Sequence, residues 1–207
     1  MNKRYAYAIL GIALVTASQI SRAQEIDLLD MLPVILSAIK NGTPAPPSSG
    51  SGSGITITDV NGRTCAISGV QLALLTSHNA ARANSRTCWM NGVDTFFPAA
   101  APVTWNCDLG DAAAGHSAYM ASITTLTHTG AGNTNAGQRI NQQGYTWNTW
   151  AENIARGYSS SQEVTNEWLL STSGHCNNIM RSSYEEMGAA RVNNSQNFWT
   201  VVFARQP

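Results

Sequence analysis

Read from Ser68, the chain sets Val70, Leu72, Leu74 and Leu75 ahead of Ser77-His78-Asn79-Ala80-Ala81-Arg82, a spacing that predicts a helix of about four turns with one apolar face to bury. A second helix is predicted from Asn106, a good N-cap, with Leu109, Ala112, Ala113, His116, Met120 and Ile123 at mixed three and four spacing; its alanines imply close packing. A third, short helix is expected over 135–143, stopped by Gly144. Ser160 followed three residues later by Glu163 reads as a capping box that opens a fourth helix carrying Val164, Trp168 and Leu169. At the C-terminal end, 188–192 and 198–203 are β-rich runs separated by Asn193-Asn194-Ser195-Gln196-Asn197, predicting an antiparallel hairpin. Alternation over 55–67 around Asn61-Gly62 predicts another small hairpin ahead of the main body. Helices and strands in succession, with no internal repeat, give a mixed α+β class.

Upstream of that body the pattern changes character. Asn2-Lys3-Arg4, an almost wholly apolar run over 6–15 and small residues at Ser21 and Ala23 read as a secretory signal peptide over 1–23. The apolar run breaks at Thr16, Ser18, Gln19, Ser21 and Arg22, short of the ~20 residues that span hydrocarbon, so no transmembrane anchor is expected after cleavage. Residues 24–42 form a short amphipathic segment interrupted by Asp30 and Pro33, and 43–54 are a Pro/Gly/Ser linker with nothing to fill a core. The expected organisation is therefore signal peptide, amphipathic segment, linker, a hairpin extension over 55–69 and one domain over 70–207. Asn41-Gly42-Thr43 and Asn193-Asn194-Ser195 have the form of N-glycan acceptors for a eukaryotic secretory route.

Charge and cysteine content narrow the classes further. Twelve Lys+Arg balance twelve Asp+Glu across 207 residues, so no basic face offers itself to phosphate backbones and a nucleic-acid partner is not expected. Export places Cys65, Cys88, Cys107 and Cys176 in an oxidising space, and they lack the close paired spacing of a zinc ribbon. Two disulfides are expected, and three connectivities are open on spacing alone.

Candidate chemistry rests on three separated segments: Thr127-His128-Thr129-Gly130 after the second helix, Ala151-Glu152-Asn153-Ile154 after a Trp-rich turn, and Ser173-Gly174-His175-Cys176 before a short helix. Two imidazoles and a carboxylate, brought together, can hold a divalent metal with an open position or relay protons. The plainer reading is that each His caps a turn, and spacing alone favours it. His78 and His116, inside helices, read as packing or surface residues.

Taken together, His78-Asn79-Ala80-Ala81-Arg82, Trp105, His116-Ser117, Met120-Ala121, Leu126-Thr127-His128-Thr129-Gly130, Ala151-Glu152-Asn153-Ile154-Ala155, Trp168, Ser173-Gly174-His175-Cys176-Asn177-Asn178-Ile179-Met180, Met187-Gly188 and Phe198-Trp199-Thr200 resemble the CAP superfamily. This is the family of cysteine-rich secretory proteins, antigen 5 and pathogenesis-related proteins, whose domain is also called SCP, and the pattern looks most like its bacterial branch. The resemblance runs from about 70 to 207. It implies an α-β-α sandwich around a central antiparallel sheet, with a shallow cleft holding two histidines and two acids. His128 takes the first histidine's place, Glu152 the first acid's and His175 the second histidine's. The second acid's place, three residues after Trp168, is occupied here by Ser171. The resemblance thus implies weak metal binding, zinc above all, on His128 and His175, with Glu152 orienting a ring or a bound water. It also implies Cys88–Cys176 and, by remainder, Cys65–Cys107, which would tether the hairpin extension to the second helix.

Two functions follow as expectations. Similar domains bind sterols, acyl chains or extracellular proteins, and Tyr145, Trp147, Trp150, Tyr158 and Tyr184 are candidates to line an apolar groove or to fill the core. The alternative is a metal-assisted or acid-base hydrolase working through His128, Glu152 and His175, with Ser171 as nucleophile. No Gly-x-Ser-x-Gly elbow or His-Glu-x-x-His helix supports it, so secreted binding, with no required cofactor, is favoured over catalysis. Display through residues 24–54 as a surface adhesin is compatible with the binding reading.

Overall fold

The computed structural model describes residues 54–207. The expected signal peptide, the amphipathic segment and all of the linker but its last residue lie outside the described residues. Within them no helix is long and apolar enough to cross a membrane.

The elements follow in the order β1 (Ile55–Thr58), β2 (Thr64–Ile67), α1 (Gly69–Arg82), β3 (Arg86–Met90), β4 (Val93–Phe97), β5 (Thr104–Trp105), α2 (Cys107–Ser122), α3 (Ala136–Gln142), β6 (Thr149–Arg156), α4 (Ser161–Leu170), α5 (His175–Met180), β7 (Glu186–Val192) and β8 (Phe198–Arg205). Each of the four longer predicted helices starts at a side-chain cap. Ser68 and Gln71 close a reciprocal capping box on α1, as Asn135 and Gln138 do on α3, while the Asn106 side chain accepts from the N–H groups of Asp108 and Leu109. On α4 the box is only half formed. Ser160 Oγ accepts from Glu163 N–H, but the Glu163 carboxylate turns to the backbone N–H and hydroxyl of Ser159, one residue before the expected partner.

A four-stranded sheet of order β5-β7-β8-β6 forms the middle layer. Its β6-β8 and β7-β8 ladders are antiparallel; the two-residue edge strand β5 pairs parallel to β7, so the sheet is mixed at that edge. Strand β8 is buried along its length up to Arg205, and its alternation serves two layers. Trp199, Val201 and Phe203 join the core with Leu74 and Leu75 of α1, Val164 and Trp168 of α4 and Ile179 of α5, whereas Val202 and Ala204 join Leu109, Ala112 and Ala113 of α2 and Ile140 of α3. This is the α-β-α sandwich. Helix α2 packs closely, as expected, but through glycine: at Gly188 of β7 a Cβ would sit 2.0 Å from the backbone nitrogen of Gly110, so helix and strand meet backbone to backbone and only glycine fits.

Two hairpins lie outside the sheet. The predicted β1-β2 hairpin turns around Asp59, whose carboxylate accepts from the N–H groups of Asn61 and Arg63 and, through its other oxygen, from Cys107 N–H in the first turn of α2. The Cys65–Cys107 disulfide and the Arg63 guanidinium on Asp108 and Asp111 complete that tether. The second hairpin, β3-β4, turns through Asn91 and Gly92, both at positive φ, the backbone that lets two residues reverse a twisted ribbon. It leaves Trp89, Met90, Val93 and Phe96 exposed and carries Cys88, bonded to Cys176.

His78 settles as a packing residue. It is fully buried with its ring against Trp168 and Phe203, Nδ1 donating to the carbonyl of Leu74 and Nε2 without a partner. Burial, the largest cause, pushes its pKa down from 6.5 to about 4. A histidine kept neutral by the fold contributes stability that is complete above the unfolded pKa and is lost as protons bind the unfolded chain. Stability should therefore fall between pH 6.5 and about 4, by roughly 3 kcal/mol from this group. Thermal unfolding followed by circular dichroism from pH 7 to 4 checks this: His78→Phe should flatten part of the decline, and a wild-type midpoint constant over that range would contradict it.

Candidate functional site

Strand β6 is the free edge of the sheet, so the layers on its two faces can meet beside it. Consecutive residues of this strand point to opposite faces and organise both. Glu152 turns toward the α2 and α3 side, where its carboxylate is buried. Arg139 Nη2 donates to Glu152 Oε2 at 2.5 Å, and His128 Nδ1 donates to Glu152 Oε1 at 2.8 Å. Arg139 also donates through Nη1 to the carbonyls of His128 and Thr134, tying the loop after α2 to α3. His116 Nε2 stands 3.8 Å from Glu152 Oε1 while donating to Thr127 O, and its Nδ1 is buried with no partner. Desolvation, the largest cause, lowers the His116 pKa against the pull of Glu152.

Asn153, fully buried, serves the other face. Its Nδ2 donates to the carbonyl of His175 and its Oδ1 accepts from Asn178 Nδ2, which fixes both ends of the first turn of α5. Gly174, at φ 89°, makes the sharp entry to this helix; a Cβ there would be 3.0 Å from Met90 Sδ. Ser173 bridges to Met90, and Cys176 is bonded to Cys88, so the β3-β4 hairpin holds the His175 turn from outside. Burial first, then repulsion from His128, lowers the His175 pKa.

A cavity of about 390 Å³ opens here, lined by His128, Asn135, Ala136, Trp150, Ala151, Glu152, Asn178, Arg181 and Tyr184. His128 and Glu152 thus share a hydrogen bond and a cavity wall, with His175 at the neighbouring turn. Ser171 stands apart: its hydroxyl accepts from Ser173 N–H and has no bond to an imidazole. Among the five aromatic candidates only Trp150 and Tyr184 reach the cavity. Tyr145 is buried with its hydroxyl on Glu186, Trp147 donates to Gly137 O and meets Trp150 edge to face, and Tyr158 packs against the main core.

Sequence reasoning missed Arg139, while His116, expected as a packing or surface residue, is buried in α2 beside Glu152. Arg139 sits on a short helix where an arginine reads as a solvated residue, and only a buried acid beside it gives it another role. His116 lies, as its spacing predicted, on the apolar stripe of α2 with Leu109 and Met120.

As metal donors, the set consists of His128 Nε2, which has no protein partner among the described residues, and the His175 ring. Glu152 has both oxygens engaged. No group of three or more His, Cys, Asp or Glu residues is placed to hold an ion among the described residues.

The chain resembles solved structures at low identity. An outer surface protein from Borrelia burgdorferi aligns at 22% identity, TM-score 0.47, over 51% of this chain and 78% of that one. An extracellular protein containing an SCP domain from Bacillus anthracis aligns at 24%, TM-score 0.48, over 52% and 35%. A cysteine-rich secretory protein from Staphylococcus aureus aligns at 15%, TM-score 0.47, over 70% and 42%, so the match spans less than half of the latter two proteins. No curated protein sequence matches. The model of the cysteine-rich secretory protein family, CAP, matches residues 76–203, which is more than half of the chain and contains every residue of the cleft, and the protein belongs to that family.

Proposed function

We propose that this CAP domain is an extracellular binding module whose cleft takes a divalent metal, zinc in the first instance, on His128 and His175, and that it is not a hydrolase. The observation that carries the reading is the double engagement of Glu152. A buried carboxylate that accepts from Arg139 on one oxygen and from His128 Nδ1–H on the other has both oxygens engaged, and it turns the His128 ring so that Nε2 is left for a ligand. That is the arrangement of an oriented metal ligand. Ser171 has no base within hydrogen-bond reach, so the nucleophile of the hydrolytic alternative has nothing to activate it.

When bound, the metal would supply a positive charge and exchangeable positions at the cavity mouth. The chain's own residues do the rest: Arg139 neutralises Glu152, Glu152 fixes the tautomer and direction of His128, and Asn153 with the Cys88–Cys176 disulfide holds the turn that carries His175. The two disulfides suit an oxidising compartment, in keeping with export. A lipid or sterol would need more apolar wall than Trp150, Tyr184 and two alanines give this cavity, so the favoured ligand is polar.

Calorimetric titration with zinc chloride should show one weak site per chain, lost in His128→Ala and in His175→Ala; unchanged binding in either variant would remove the metal from the reading. Glu152→Gln, which keeps the shape but weakens the hold on the ring, should lower zinc affinity by about 10-fold or more. Ester and peptide hydrolysis should stay at the level of His128→Ala, and turnover abolished by that substitution would favour the hydrolase instead. Arg139→Met should leave Glu152 as an unpaired buried charge and cost about 3–5 kcal/mol in urea unfolding, far more than His128→Ala, whose ring is largely in solvent.

A further inference from the structure

Arg181 has no role in the metal-binding reading, yet it stands on the wall of the same cavity. Its main chain is fixed: the N–H donates to Asn177 O, and the carbonyl accepts from the buried Arg82 guanidinium and from Tyr184 N–H. Its side chain is free. Among the described residues no carboxylate lies within 4.0 Å of the guanidinium and no side-chain hydrogen bond is made, although the residue is exposed and could reach water or a ligand without strain.

The charge balance of the cavity makes this cation significant. Glu152 is the only acid in the wall, and its carboxylate is already engaged by Arg139 and His128. Arg181 is therefore the unspent charge of the site, presenting the planar fork of donors that matches a carboxylate or phosphate. Around it, Asn135 and Asn178 add amides, while Trp150 and Tyr184 supply ring surface held in place by edge contact with Trp147 and by stacking on Phe203. The volume of about 390 Å³ exceeds what a bare ion fills and lies at the small end of the ligand-pocket range of ~300–1,000 Å³.

We propose that the cavity takes a small polar ligand bearing an anionic oxygen group, a carboxylate or a phosphate on a ring-sized body, anchored by Arg181. The inference rests on the reading of this cleft as a binding site and does not depend on the metal.

The probes are glucuronate, glucose 6-phosphate and neutral glucose, titrated into the protein in a chelating buffer and followed by amide and indole chemical shifts. One or both acids should bind with shifts at Trp150, Asn178 and Arg181, and glucose should not; the stronger acid identifies the carboxylate or phosphate source. Arg181→Gln should weaken binding by about 10-fold or more, with Arg181→Lys intermediate because a point charge replaces the fork. The thermal midpoint and zinc titration of Arg181→Gln should match wild type, which separates the anchor from the fold and from the metal site. Equal binding of glucose and the acids, binding by Arg181→Gln equal to wild type, or no binding of either acid would overturn the proposal. Failure of the zinc titration alone would count only against the metal.

Discussion

The structure turns on one buried cation that has no acid beside it. Arg82, the last residue of α1, is fully buried, and its guanidinium donates to four backbone carbonyls: Ala101 in the segment before β5, Ile179 and Arg181 at the end of α5, and Tyr184 on the way into β7. Burying a charge costs several kcal/mol even after relaxation, and here only dipoles offset it. Burial lowers the arginine's pKa, but a guanidinium, the most basic of side chains, with each bond directed at a carbonyl remains a cation. The segment before β5 and the connection from α5 to β7, which would otherwise run independently over the end of the sandwich, are thereby joined to one helix.

This constraint reaches the cleft through α5. Six residues cannot hold a helix by their own hydrogen bonds, since nucleation alone costs more than so few bonds return. The order of α5 is supplied from outside: Arg82 at its end, Asn153 under its first turn, Cys88 through the disulfide, and Gly174 turning the chain into it. His175, Asn178 and Arg181 all lie on it or beside its end. The backbone of this wall is thus fixed by contacts with three other parts of the fold, while the opposite wall is fixed by Arg139 and Glu152.

Legibility of the sequence divided along physical lines. Helices with a cap and one apolar stripe were readable to within a residue or two, because both signals are local. The β3-β4 hairpin was missed although Asn91-Gly92 between two β-rich runs is the turn that such hairpins use. Strand β6 gave no alternation to read, since both of its faces are covered and one of its buried positions is a glutamate. His128 and Glu152 were expected together and share a hydrogen bond; Arg139 was not expected, because what makes it part of the cleft is a carboxylate thirteen residues away. The disulfide pairing came from family resemblance, spacing having left three choices open, and the structure has the same pairs.

The position of Glu152 on an edge strand explains why such a cleft is shallow and still rigid. A carboxylate in the middle of the sheet would be walled in by α2 or α1, and a surface carboxylate would be free to move. On β6 the backbone is locked by eight paired residues to β8, one face carries Glu152 toward Arg139 and His128, and the next residue carries Asn153 toward His175. The two walls of the cleft are therefore set by neighbouring residues of one strand, a separation fixed by covalent geometry and the pleat. A charged group at the mouth, Arg181, then meets a site whose inner charges are already balanced, and its attraction is left for whatever enters.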